Sequence, residues 1–219
     1  MFSTKVRWIS ISAVLVMLTA SLFAQTPKPQ LAVYQNRDFY DAAGKFNAEA
    51  AKRAYIEFLQ RHGYPASKNL RDNMWVSDFG LGNFVEVGMA GMFWVRNQVD
   101  NYSALEMIML PGQMVPQHQH IKTPIAAPKM ESWHVRYGSI YTYGEGTPTS
   151  PMKAKIPALE APYVTVKHEK ILNVGEVTGI TKAYQLHWME AGSEGAIITE
   201  YSTFHDGNAV KFTDPHIKF

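Results

Sequence analysis

The sequence predicts an all-β fold, a jelly-roll barrel, with one amphipathic helix packed outside it near the N-terminus. Three observations carry this reading. From residue 75 onward the chain is a succession of runs rich in β-branched and aromatic residues, punctuated by glycine and proline turns. Before them, residues 47–62 hold apolar side chains at helical spacing. Finally, His118 and His120 stand one residue apart, so on a strand both point to the same face.

In chain order, residues 1–24 read as an export signal. Lys5 and Arg7 make a basic start, residues 9–23 are apolar apart from a few hydroxyls, and Ala24 offers a small residue for cleavage. The run is short for a spanning helix, which needs about 20 apolar residues. The expectation is an exported chain, periplasmic or secreted, with no membrane association once the signal is gone. Residues 25–38, rich in Pro, Gln and Lys, read as a flexible lead-in, and 39–219 as a single domain with its helix as an N-terminal extension. In that helix Asn47 is the expected cap, Glu49 suits the first turn, and Gly63 and Pro65 end it. Strands are expected at 84–87, 90–95, 104–110, a run ending at 117–120, 131–143, 163–168, 169–173 and 195–204. Turns fall at 80–83, 111–112, 144–146 and 191–192, and residues 147–162, with four prolines, form a long surface loop.

Charge is nearly balanced, 21 basic against 19 acidic residues, with no basic stripe, which argues against a nucleic-acid partner. The absence of cysteine excludes disulfides, thiolate catalysis and Cys-ligated zinc.

The chemistry concentrates around His118 and His120. Glu131 lies eleven residues beyond His120, and His187 precedes another apolar stretch. Three imidazoles and one carboxylate would suit a first-row divalent ion such as Mn, Fe, Co, Ni or Zn. By strand parity, Glu131 shares its face with Trp133, Val135 and Tyr137, and Glu200 shares its own with Ala196, Ile198, Ser202 and Phe204. A glutamate on an apolar face must be paired, ligated or protonated, which makes Glu200 a candidate acid or base. Lys129 and His205 each have two readings, as pocket-lining groups that touch substrate or as surface side chains.

These residues sit in a wider pattern. Pro111-Gly112-Gln113, then Pro116-x-His-x-His, then Lys129-Met130-Glu131 resemble the first metal motif of the cupins. With residues 136–148 (RYGSIYTYGEGTP), 186–196 (LHWMEAGSEGA), Glu200-Tyr201-Ser202-Thr203 and Phe212-Thr213-Asp214-Pro215, the chain resembles the D-lyxose ketol-isomerases over roughly residues 75–219. The resemblance implies a cupin barrel in which His118, His120, Glu131 and His187 ligate a divalent metal, manganese first, with Zn, Fe, Co or Ni also compatible. It implies that Glu200 moves the proton in aldose–ketose isomerisation of a free sugar such as D-lyxose or D-mannose, and that the chain forms a homodimer. Two further classes stay open. One is an exported metal-binding cupin that binds a carbohydrate or other small ligand without isomerising it; the other is an iron-dependent cupin oxygenase.

Overall fold

The computed structural model describes residues 33–219, so the expected signal at 1–24 lies outside the described residues. Within the expected lead-in, Asn36–Asp38 form one 3-10 turn. It is pinned to the barrel by the Asn36 side chain, which donates to Asn83 Oδ1 at 2.7 Å and accepts from the Val85 amide at 3.0 Å.

Helix α1 (Ala48–Arg61) begins where Asn47 accepts the Ala50 amide, carries Glu49 in its first turn and Arg61 in its last, and ends before Gly63 at φ +65°. A short helix α2 (Lys68–Asn73), capped by Ser67, follows it and has no counterpart in the sequence expectation. Among the described residues nine strands then make one curled antiparallel sheet: β1 (Trp75–Ser77), β2 (Met89–Asn97), β3 (Tyr102–Met109), β4 (Met114–His120), β5 (Glu131–Gly144), β6 (His168–Asn173), β7 (Val177–Gly179), β8 (His187–Ser202) and β9 (Val210–Phe212). The main path runs β1-β2-β3-β8-β4-β9, and β5 pairs with β6, β7 and the whole length of β8.

Four local expectations are corrected. Residues 84–87 form a turn closing onto Val87, not a strand, and residues 163–167 are loop, with β6 beginning at His168. Ala191 and Gly192 do not break the chain, because β8 runs unbroken for 16 residues. Tyr137 does not share the inward face of Glu131, Trp133 and Val135. The β5–β8 register shifts between Val135 and Tyr137, and Tyr137 turns outward to stack on His62 at 4.1 Å. A bulge inserts one residue and inverts the alternation beyond it.

That irregularity shapes the molecule. Glu131 opens β5, whereas His187 pairs with Gly144 at its far end. A straight 14-residue strand would separate those ends by about 45 Å. Instead the β5–β8 ribbon folds over on itself around Gly138 (φ +70°) and Gly195 (φ +75°). A Cβ on Gly138 would lie 1.9 Å from the Gly195 carbonyl oxygen, so only glycine permits this approach.

The interior core is built from inward residues of the strands, including Leu105, Met107, Trp133, Val135, Met189 and Ile198. Outside one half, α1 lays Tyr55, Phe58 and Leu59 onto Met92, Ile108 and Ile197. Outside the other, the segment between β5 and β6 covers Tyr143 and Trp188, whose rings stack at 4.0 Å. Among the described residues, no helix is long and apolar enough to cross a membrane.

Candidate metal centre

Strand β4 presents His118 and His120 inward and sends Gln117 the opposite way, where it holds Thr165 and Val166 by hydrogen bonds of 2.7–3.0 Å. His118 pairs directly with His187 of β8. The folded ribbon brings Glu131 to the same point, so ligand atoms of His118, His120, Glu131 and His187 all lie within 4.8 Å of one another, and all four residues are buried.

The orientation of two of the imidazoles is fixed locally. His118 Nδ1 lies 2.8 Å from the carbonyl of Pro116, and His187 Nδ1 lies 2.9 Å from that of Gln185. A carbonyl only accepts, so each Nδ1 carries the proton and each Nε2 offers its lone pair to the centre. His187 Nε2 then lies 2.7 Å from Glu131 Oε1, and His120 Nε2 lies 3.2 Å from the same oxygen. At His187 a lone pair faces a lone pair, and Nε2 of both His120 and His187 is buried without a hydrogen-bond partner. A cation at the centre resolves that opposition. The donor set, three imidazoles and one carboxylate, fits a divalent metal.

Electrostatics favours the ligating protonation states. Burial, then neighbouring His187 and His120, holds the His118 imidazole well below its ordinary range, so it stays neutral. Burial chiefly lowers His120 too. Glu131 is opposed by burial, yet Lys129 and His120 outweigh it and keep the carboxylate ionised.

Lys129 is 3% exposed and is no solvated loop-end charge. Its Nζ contacts Glu131 Oε2 and lies 2.9 Å from Glu200 Oε1. It thus occupies one oxygen of Glu131 and leaves the other to the histidines. Burial pushes the Glu200 carboxyl up to about 7, against the pull of Lys129 and with Glu131 adding to it. A carboxyl poised there can take up and release a proton near neutrality.

His205 lines the same cavity. Its amide donates to Ser103 Oγ at 3.2 Å, and its carbonyl accepts from Arg96 Nε at 2.9 Å. Arg96 itself lies over the rings of Phe93 and Phe204. Burial chiefly holds the His205 imidazole down at about 3, and its Nδ1 is buried without a partner. A neutral ring with an unused nitrogen is ready to meet a ligand hydroxyl. The cavity is about 610 Å3 and reaches from these groups to Trp75, Phe79, Phe212 and Phe219. Phe212 belongs to the segment 212–215 noted in the sequence, but Trp75, Phe79, Phe219 and Arg96 carry no motif, and only the fold brings residues 75–79, 96 and 212–219 to one opening.

No protein-family model matches the chain. A D-lyxose/D-mannose isomerase of Thermosediminibacter oceani is 36% identical over 175 residues, covering 76% of this chain and 95% of that protein. A D-lyxose ketol-isomerase of a Thermofilum species is 36% identical over 170 residues, covering 78% and 92%. Among solved structures, an L-ribose isomerase of Cellulomonas parahominis with L-psicose superposes with a TM-score of 0.61 at 15% identity, covering 82% of this chain and 95% of that one; it speaks for the fold. With the sequence relatives matched almost end to end, the chain belongs to the D-lyxose ketol-isomerase family.

Proposed function

We propose that this chain is a metal-dependent aldose–ketose isomerase acting on a free sugar, D-lyxose to D-xylulose or D-mannose to D-fructose. The observation that carries the reading is the closed His118–His120–Glu131–His187 cluster at the end of a cavity, with a second buried carboxylate beside it. Those four residues are the proposed ligands, and manganese is the proposed ion. When bound, such an ion supplies Lewis-acid polarisation of the adjacent C1 and C2 oxygens of an open-chain aldose.

The chain's own groups do the rest. Glu200 removes the proton at C2 and returns it to C1, the two-way role that a carboxyl near neutrality suits. Lys129 holds Oε1 of that carboxylate, leaving Oε2 to carry the proton. His205 accepts or donates a hydrogen bond to a sugar hydroxyl further along the chain. Leu105, Trp133 and Met189 wall the reacting carbons from water.

The test is ketose formation by purified, manganese-loaded protein from D-lyxose and D-mannose. Glu200→Gln is expected to keep fold and metal but lose about 100- to 10,000-fold in turnover, and His120→Ala to lose most bound metal. A loaded parent protein that converts none of a broad pentose and hexose panel overturns the isomerase reading.

We also propose, on the basic start and apolar run of residues 1–24, that the chain is exported and works in the periplasm or outside the cell. A homodimer is the proposed assembly, from family resemblance alone; a monomer in sedimentation at micromolar concentration would remove it.

A further inference from the structure

The cavity is larger than its reactive end requires. The polar groups that would engage C1 and C2 cluster at one end. From there an unbroken line of aromatic rings leads outward. His118 lies 5.4 Å from Phe212, Phe212 lies 5.6 Å from both Phe79 and Phe219, and Phe219 lies 5.8 Å from Trp75. The line begins on a proposed ligand and finishes on Phe219, which is 56% exposed. The Lys218 amide donates to the Phe79 carbonyl at 2.9 Å, so the outer rings sit on a tied backbone.

Two other features fix what such a wall fits. The inward face of β3 beside it is Leu105 and Met107, with no donor or acceptor to meet the closely spaced hydroxyls of a second hydrated polyol. The cavity edge, in contrast, carries Ser77, Arg96, Asn208 and Lys218. An apolar face bordered by polar groups matches a pyranose ring, which offers C–H bonds on its flat face and hydroxyls around its rim. Aromatic side chains supply large, rigid contact area for such a face. A lone monosaccharide held at the ion would leave this wall uncovered.

We propose that the outer half of the cavity is a second sugar subsite, built on Phe212, Phe219 and Trp75, and that, besides a free sugar, the site takes a reducing disaccharide or longer saccharide whose terminal aldose reaches the ion. The idea rests on the isomerase reading and extends its substrate class. The reaction balances as for the free sugar: one proton leaves C2 and one arrives at C1, the hydroxyl proton passes from O2 to O1, the C1 carbonyl becomes an alcohol and the C2 alcohol a carbonyl, and the product is an isomer. Oxygens on C1 and C2 must be free, so the second sugar is joined through O4 or O6, the end pointing away from the cluster.

The experiment is calorimetric binding of D-mannose, 4-O-linked mannobiose and 6-O-linked mannobiose to the full chain, ion-free and manganese-loaded, alongside ketose formation from each. At least one disaccharide is expected to bind about tenfold tighter than mannose. Phe219→Ala and, separately, Trp75→Leu are expected to reduce that ratio toward one, in variants whose circular dichroism matches the parent. Disaccharides that bind no better than mannose overturn the subsite even if mannose is isomerised. An affinity advantage unchanged in both variants overturns its placement. Tighter disaccharide binding that the variants abolish, with no sugar isomerised, upholds the subsite and sinks the isomerase reading instead.

Discussion

Replacing Lys129 with methionine isolates the electrostatic brace of the site. The side chain is 3% exposed and contacts two carboxylates, Glu131 and Glu200, that are 4% and 3% exposed. Methionine keeps the stem and removes the charge. Losing one partner of a buried ion pair costs about 3–5 kcal/mol. In a domain of this size about 1 kcal/mol moves the melting temperature by about 2–4 °C, so chelated protein at pH 7 is expected to melt about 6–20 °C lower. The pH sign follows from Glu200. Without Lys129 its carboxyl rises further above the unfolded value, so the folded variant holds a proton that the unfolded chain releases above about pH 4.5. The parent carboxyl already holds this proton up to about pH 7, so the variant's extra deficit from Glu200 opens as pH rises above about 7 and closes toward pH 5. Adding Glu200→Gln removes one of the two stranded carboxylates, so the double variant is expected to be more stable than the sum of the single effects. Thermal unfolding followed by circular dichroism measures all four proteins. A melting point within about 2 °C of the parent, a deficit that grows in acid, or strict additivity would each refute the brace.

Glu160 is fully buried, neither carboxylate oxygen has a hydrogen-bond donor, and burial, then Asp214, pushes its carboxyl up to about 7. The folded state keeps a proton here that the unfolded state releases between about pH 4.5 and 7, so this group weakens the fold as pH rises; Glu160→Gln is expected to raise the urea midpoint at pH 8, by at most about 3 kcal/mol in stability, and to leave pH 5 nearly unchanged. Gly138→Ala would set a Cβ 1.9 Å from the Gly195 carbonyl oxygen at φ +70°; a loss of about 2 kcal/mol or more is expected, together with weaker metal retention because the ribbon ends part, and a parent-like midpoint would contradict it. Mass spectrometry of protein from the native host is expected to find residues 1–24 missing, and an intact Met1 on soluble protein would reverse the export proposal.

The site was largely legible because its grammar is local. His118 and His120 declared a shared strand face, and the cap, stripe and glycine stop of α1 declared the helix. What escaped the sequence was everything decided by a bulge or by long-range closure. Tyr137 followed the alternation of its strand until one inserted residue inverted it. Ala191-Gly192 looked like a turn, but small residues in a strand also allow a sharply bent ribbon to pack closely; a Cβ on Gly192 would meet Ser139 Oγ at 2.2 Å. Lys129 kept two readings, pocket or surface, because its two partners, Glu131 and Glu200, come together only when β5 and β8 pair.

The tethers of His118 and His187 have a consequence for how this barrel can diversify. Each imidazole is steered by the carbonyl two residues before it, so a tripeptide carries both the ligand and the device that aims it. The aromatic opening is assembled from residues 75–79 and 212–219, which hold none of the four clustered side chains. Substitutions at its outer positions, Trp75 and Phe219, can reshape what enters while the aim of the imidazoles is inherited unchanged. A lineage built this way can exchange its sugars without rebuilding its reaction centre.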